Sequence, residues 1–119
     1  MAKDAPEPAL ATDQDLEQLT SLFKLLSDKT RLQILTLLSQ GEWNVTALCE
    51  ELKLSQPTVS HHLGLLRMTN VVGHRRKGKQ VIYGLAGRGT SSKDHFLELP
   101  VQHLVVRILP KPKARFPLR

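Results

Sequence analysis

Apolar residues recur along the first half of the chain at spacings of three and four. From Asp13 to Leu26 they are Leu16, Leu19, Leu22, Phe23 and Leu26, one stripe of an amphipathic helix, with Asp13 available as its N-cap. Asp28 can cap a second helix, whose stripe of Leu32, Leu35 and Leu38 runs until Gly41 ends it. Val45, Leu48, Cys49 and Leu52 follow the spacing i, i+3, i+4, i+7 and predict a short third helix. Lys53, Leu54 and Ser55 then make a tight turn, and Ser55 can cap a fourth helix that runs to about Met68. Pro57 is tolerated in its first turn because the amides there lack helical partners.

Beyond Met68 the pattern shortens to a period of two. Val71 to Leu85 reads as two short strands around Lys77-Gly78, with Val81, Tyr83 and Leu85 alternating onto one face. A loop rich in small residues, Ala86 to Ser92, leads into a C-terminal stretch with two readings. Leu97, Leu99, Val101, Leu104, Val106 and Ile108 alternate like a strand pair, whereas Leu97, Val101, Leu104, Val105 and Ile108 fit a helical stripe, and Pro100 interrupts the segment.

Two short helices joined by a three-residue turn and followed by a basic hairpin make a winged helix-turn-helix, which can set one helix in a major groove and a wing on the flanking backbone. The predicted fold class is mainly α with a β-hairpin wing: four helices, two strands, a C-terminal element that is either a helix or a strand pair, and a basic tail. The expected segments are a flexible one over residues 1–12 and the winged helix-turn-helix over 13–86, then a C-terminal element with a part in dimerisation over 87–109 and a Pro-rich basic tail over 110–119. On a helical wheel Val59, Leu63 and Leu66 pack inward, leaving Pro57, His61, Gly64 and Met68 outward with Thr58 and Ser60 beside them. Short polar side chains near a helix N-terminus can reach base edges and phosphates, and Gly64 lets the backbone approach a groove closely.

Charge sharpens this picture. The net charge of +6 divides unevenly: residues 1–52 hold 4 Lys/Arg against 9 Asp/Glu, and residues 53–119 hold 13 against 2. The basic half is the one that faces a polyanion, and nucleic acid suits it, although an anionic membrane surface attracts the same charge. Arg75, Arg76, Lys77 and Lys79 place four cations in five residues at the hairpin tip, a density that favours phosphate contact. A chain of 119 residues, 40% hydrophobic and 24% charged, fits one globular domain. Met1 to Thr12 carries no signal-peptide pattern and no membrane span is indicated, so a cytoplasmic protein is expected. The lone Cys49 cannot form an internal disulfide, and its place on the apolar stripe predicts a buried structural thiol rather than a redox or electrophile sensor.

RLQILTLL at Arg31 to Leu38, SQPTVSHHLGLLR at Ser55 to Arg67 and GKQVIYGL at Gly78 to Leu85 resemble the ArsR/SmtB family of bacterial winged-helix repressors over residues 13–86. The resemblance implies a homodimer whose recognition helices enter successive major grooves of double-stranded operator DNA, with repression relieved by an inducer that the sequence does not name. It places Ser55, Gln56, Thr58, Ser60 and His61 where the family reads DNA, with Arg67 closing the same helix and Arg75, Arg76, Lys77 and Lys79 on the wing. Two departures matter. Where many members carry a Cys-Val-Cys metal motif, this chain has Asn44 and Thr46, which bind soft metals poorly. Where others hold zinc with paired Asp and His on a C-terminal helix, Asp94, His95 and His103 stand in a segment broken by Pro100. No metal and no cofactor are expected.

The remaining signals are structural. His61 and His62 point about 100° apart on a helix and cannot chelate one ion together. Trp43 reads as a hydrophobic staple on the third helix. The chain shows no Gly-rich phosphate loop, no nucleophile with a plausible base and no carboxylate pair in the helical core, so an enzyme is not expected. The alternative to DNA binding is a winged-helix module whose basic face docks on an acidic protein.

Overall fold

The computed structural model describes residues 11–86 and 97–111. Along the chain come α1 (Asp13–Leu26), α2 (Lys29–Leu38), β1 (Trp43–Asn44), α3 (Val45–Leu52), α4 (Gln56–Met68), β2 (Val72–Lys77), β3 (Gln80–Leu85), β4 (Leu97–Val101) and β5 (Leu104–Ile108). The four helices and the hairpin fall where the pattern puts them. The two-residue β1 is an addition: it pairs with β3 and makes the wing a three-stranded antiparallel sheet in the order β1-β3-β2.

Helix α1 begins one residue earlier in its capping than the pattern suggests. Its N-cap is Thr12, not Asp13, because a reciprocal box is available there: the Asp15 amide donates to Thr12 Oγ1 at 3.1 Å and the Thr12 amide donates to Asp15 Oδ2 at 2.9 Å. Asp15 is buried, and its other oxygen lies 3.4 Å from His103 Nδ1 in the turn between β4 and β5. The start of α1 is thereby tied to the C-terminal hairpin. The Thr12 amide, with the Thr12 hydroxyl and His103 behind it, holds the Asp15 carboxyl below the ordinary carboxylate range against the opposing effect of burial.

The core gathers Leu22 and Leu26 of α1, Ile34, Leu35 and Leu38 of α2, Leu48 of α3, Val59, Leu63 and Leu66 of α4, Val71 just ahead of the wing, Val72 at the start of β2, and Leu97, Leu99 and Val101 of β4. Two predicted stripes bury differently from expectation. Leu16 and Phe23 are half exposed because they sit one position, about 100°, round α1 from Asp15 and Leu22, which face inward. On α2, Ile34 is fully buried and Leu32 is exposed, since α2 turns its Ile34–Leu35–Leu38 side toward the core.

The C-terminal stretch takes the strand reading. Leu97, Leu99 and Val101 are the buried positions of β4, and Pro100, which would break a helix, faces outward opposite Val105 in the two-stranded ladder. Asp94, His95 and most of the basic tail lie outside the described residues. Among the described residues no helix is long and apolar enough to cross a membrane.

Two outcomes follow from this packing. Leu63→Ala removes a fully buried side chain and is expected to cost about 2–5 kcal/mol in urea unfolding. The lowered Asp15 carboxyl contributes stability that is complete above the ordinary aspartate pKa of about 3.9 and is lost as the pH falls through its lowered folded value. Thermal melts across a pH series should therefore fall less steeply below about pH 4 for Asp15→Asn than for the parent; parallel curves would contradict this.

Candidate nucleic-acid interface

The turn between α3 and α4 is closed by Lys53 in the left-handed region (φ 58°) and by the Leu54 amide donating to the Cys49 carbonyl at 3.1 Å. Ser55 then caps α4, accepting from the Thr58 amide at 3.3 Å, while the Ser55 and Thr58 hydroxyls share a hydrogen bond of 2.8 Å. One turn on, Gln56 Nε2 donates to Ser60 Oγ at 2.7 Å. The polar side chains at the head of α4 are thus ordered in pairs. Ser55, Gln56, Thr58 and His61 are exposed and Ser60 is half-buried, whereas Val59, Leu63 and Leu66 beneath them are wholly buried. Arg67 is exposed on the last turn.

The two neighbouring histidines part as their spacing requires. His61 faces solvent; His62 turns toward the N-terminus of α2, its Nδ1 buried without a hydrogen-bond partner. There Asp28 caps α2 by accepting from the Arg31 amide at 3.0 Å. That amide, and then the charges of Arg31 and His62, hold the Asp28 carboxyl below its ordinary range.

Strand register sorts the wing into two faces. Trp43, Val72, Tyr83 and Leu85 belong to the face that packs on the core, and the His74 ring leans on Tyr83 with centroids 5.4 Å apart. Arg75 and Lys77 lie on the outer face with Ile82 and Gln80 opposite them, and Gly78 takes the left-handed conformation (φ 63°) at the tip. All four basic residues are exposed, but they are not equivalent. Arg75 Nη2 donates to Glu42 Oε1 at 2.7 Å, whereas Arg76, Lys77 and Lys79 have no ion-pair partner among the described residues. With both side chains of the pair more than half exposed, its worth is about 0.2–1 kcal/mol, weak enough to open.

Glu42 is the residue that sequence reading missed. It stands 33 positions from Arg75, and only the pairing of β1 with β3 brings the two together. Trp43 stands directly before the Asn44 cap of α3 and has a further part as a strand residue, its Nε1 donating to the Leu37 carbonyl at 2.9 Å and joining the end of α2 to the sheet. Cys49 is half-buried against the core.

The donor set does not fit a thiophilic metal. Asn44 is committed to capping α3 through the Ala47 amide at 2.7 Å, and Thr46 offers only a hydroxyl. His103 faces Asp15, and among the described residues no three His, Cys, Asp or Glu side chains group closely enough to hold an ion.

The family profile described as "Bacterial regulatory protein, arsR family" matches residues 28–72, the span from the cap of α2 to the start of the wing. The chain is 37% identical over 67 residues to the transcriptional repressor SdpR of Bacillus subtilis, spanning 56% of this chain and 74% of that protein. It is 50% identical over 66 residues to the arsenical resistance operon repressor of Escherichia coli, covering 55% of this chain but only 56% of that relative's length. The homodimeric winged helix-turn-helix DNA-binding domain Mb0332 of Mycobacterium bovis superposes with a TM-score of 0.59 at 35% identity, covering 66% of this chain and 76% of that one.

Gly64, on the exposed side of α4, has no atom within 4 Å of where a Cβ would stand. Gly64→Ala is therefore expected to stabilise the isolated protein by about 0.5–1 kcal/mol, the usual helix-interior difference. A lowered urea midpoint would show that the position is not open.

Proposed function

The chain belongs to the arsR family of bacterial regulatory proteins, and from that premise we propose that it is a sequence-specific transcriptional repressor that binds double-stranded operator DNA as a homodimer and leaves it on an inducing signal. One observation carries the reading: α4 presents an ordered, exposed polar N-terminal half over a fully buried apolar base, with a basic wing following it. In the major groove Ser55, Gln56, Thr58, Ser60 and His61 meet base edges and nearby phosphates, and Arg67 meets the backbone. Arg76, Lys77 and Lys79 add sequence-independent phosphate contact from the wing, and Arg75 joins them when it parts from Glu42. Gly64 keeps the helix close to the groove floor.

A single recognition helix covers too few base pairs for useful specificity, so the repressor works as a pair reading two half-sites. The half-exposed Leu16 and Phe23 of α1 supply apolar surface for that pairing. Its place of action is the cytoplasm, where the operator is, and its role is binding rather than catalysis. Asn44 and Thr46 leave no thiolates for arsenite or cadmium, so the inducing signal is of another kind.

The division of labour is measurable. Replacing His61 by Ala should weaken operator binding by about 1–3 kcal/mol with little change on random duplex. Replacing Arg76 and Lys77 together should weaken both and flatten the slope of log affinity against log salt by about 0.9 per lost contact. Affinities of the parent and both variants across a salt series decide this. Equal losses for His61→Ala on both duplexes, or a wing variant that loses operator binding alone, would refute the assignment. A protein that binds no duplex but captures an acidic protein would replace the DNA reading altogether.

Sedimentation at micromolar concentration should give a dimer mass, and titration with zinc, cadmium or arsenite should leave the operator complex intact. A monomer in the first case or release in the second counts against the corresponding statement.

A further inference from the structure

The outer face of the wing carries a bare strip of backbone. Gly73 and Gly84 sit directly opposite one another in the β2–β3 ladder, so neither strand puts a side chain there. Glu42 lies alongside: a Cβ on Gly84 would stand 3.4 Å from Glu42 Cγ. The result is a shallow trough of about 140 Å³, with Glu42 and Arg75 among the side chains at its edges. The carboxylate on the β1 side of β3 thus passes over Gly84 to the guanidinium on β2, lying at contact distance from where a Cβ on Gly84 would stand.

Carboxylate and phosphate compete for the same guanidinium donors, since both present paired anionic oxygens to the Arg fork. Lys77 shares the outer face with Arg75 but has no such competitor among the described residues, and neither do Arg76 and Lys79 at the tip. We propose that Glu42 is a positioning residue that holds Arg75 off the DNA backbone, so that Arg75 engages a phosphate only where a well-placed one displaces the carboxylate. The clamp lowers affinity for duplex of any sequence and reserves one cation for the fitted complex, which raises the ratio of operator to random binding. This rests on the DNA-binding reading above. The more-than-half exposure of both partners is what makes the clamp reversible.

The test is a double-mutant cycle on the full chain with Glu42→Gln, Arg75→Ala and the two combined, measured as fluorescence anisotropy on a labelled duplex of random sequence over a salt series. Removing any negative charge near DNA can tighten binding, so the Arg75→Ala background is the deciding comparison. Glu42→Gln alone should tighten random-duplex binding about two- to fivefold at low salt. It should also steepen the slope of log affinity against log salt by about 0.9, as one more phosphate contact forms. In the Arg75→Ala background the same substitution should change neither quantity. Equal tightening in both backgrounds would reduce Glu42 to general repulsion and overturn the clamp, as would no effect in the parent. If the parent protein binds neither random duplex nor operator, the DNA-binding reading itself is lost, an outcome distinct from both.

Discussion

The direction in which α4 presents its polar groups is set from below. Val59, Leu63 and Leu66 are fully buried, at spacings that lock the helix in one rotation about its axis. Ile34, Leu35 and Leu38 of α2 and Leu48 of α3 complete that floor, so α4 cannot turn without opening the core. Because interiors are packed to crystal-like density, a rotation of even part of a turn would cost several apolar contacts at once. His61 faces outward, and His62 back toward α2, as a consequence of the same three residues. The Ser55–Thr58 and Gln56–Ser60 hydrogen bonds then limit the freedom of the side chains above, which lowers the entropy lost when a partner is bound.

The wing obeys a different physics. Its basic residues are exposed, and their interactions with a polyanion are long-ranged, screened by salt and indifferent to base sequence. What the fold adds is an unequal commitment of these charges. The β1 strand, only two residues long, brings Glu42 beside Gly84 and so engages Arg75, while Arg76, Lys77 and Lys79 meet no carboxylate among the described residues. The Asp15 carboxylate plays a related part, joining the cap of α1 to the turn of the β4–β5 hairpin. In this chain β4 and β5 form a strand pair, and β4 holds Leu97, Leu99 and Val101 against the core.

The helix-turn-helix and hairpin were legible in the sequence because each signal is local: a cap, a three-four spacing, a glycine at a tip. The outward set on α4 was legible for the same reason, since the inward leucines and valine determine it by elimination. Contacts between distant segments were not. Nothing in the one-dimensional pattern joins Glu42 to Arg75 or Asp15 to His103, and these rest on strand pairing and turn placement. The stripe on α1 overstated its buried width because a leucine at the edge of an apolar face looks like one at its centre. Leu97 to Ile108 fitted two periods until packing on α1 chose the one that faces Pro100 outward.

The placement of the interface is tested most directly by backbone NMR of the labelled protein, titrated with a short duplex. Amide resonances from Ser55 to Gly64 and from His74 to Lys79 should shift together and saturate at one stoichiometry, while those of Thr20 to Lys24 on α1 and of β5 stay in place. Shifts confined to α1 and β5, with α4 and the wing silent, would contradict it.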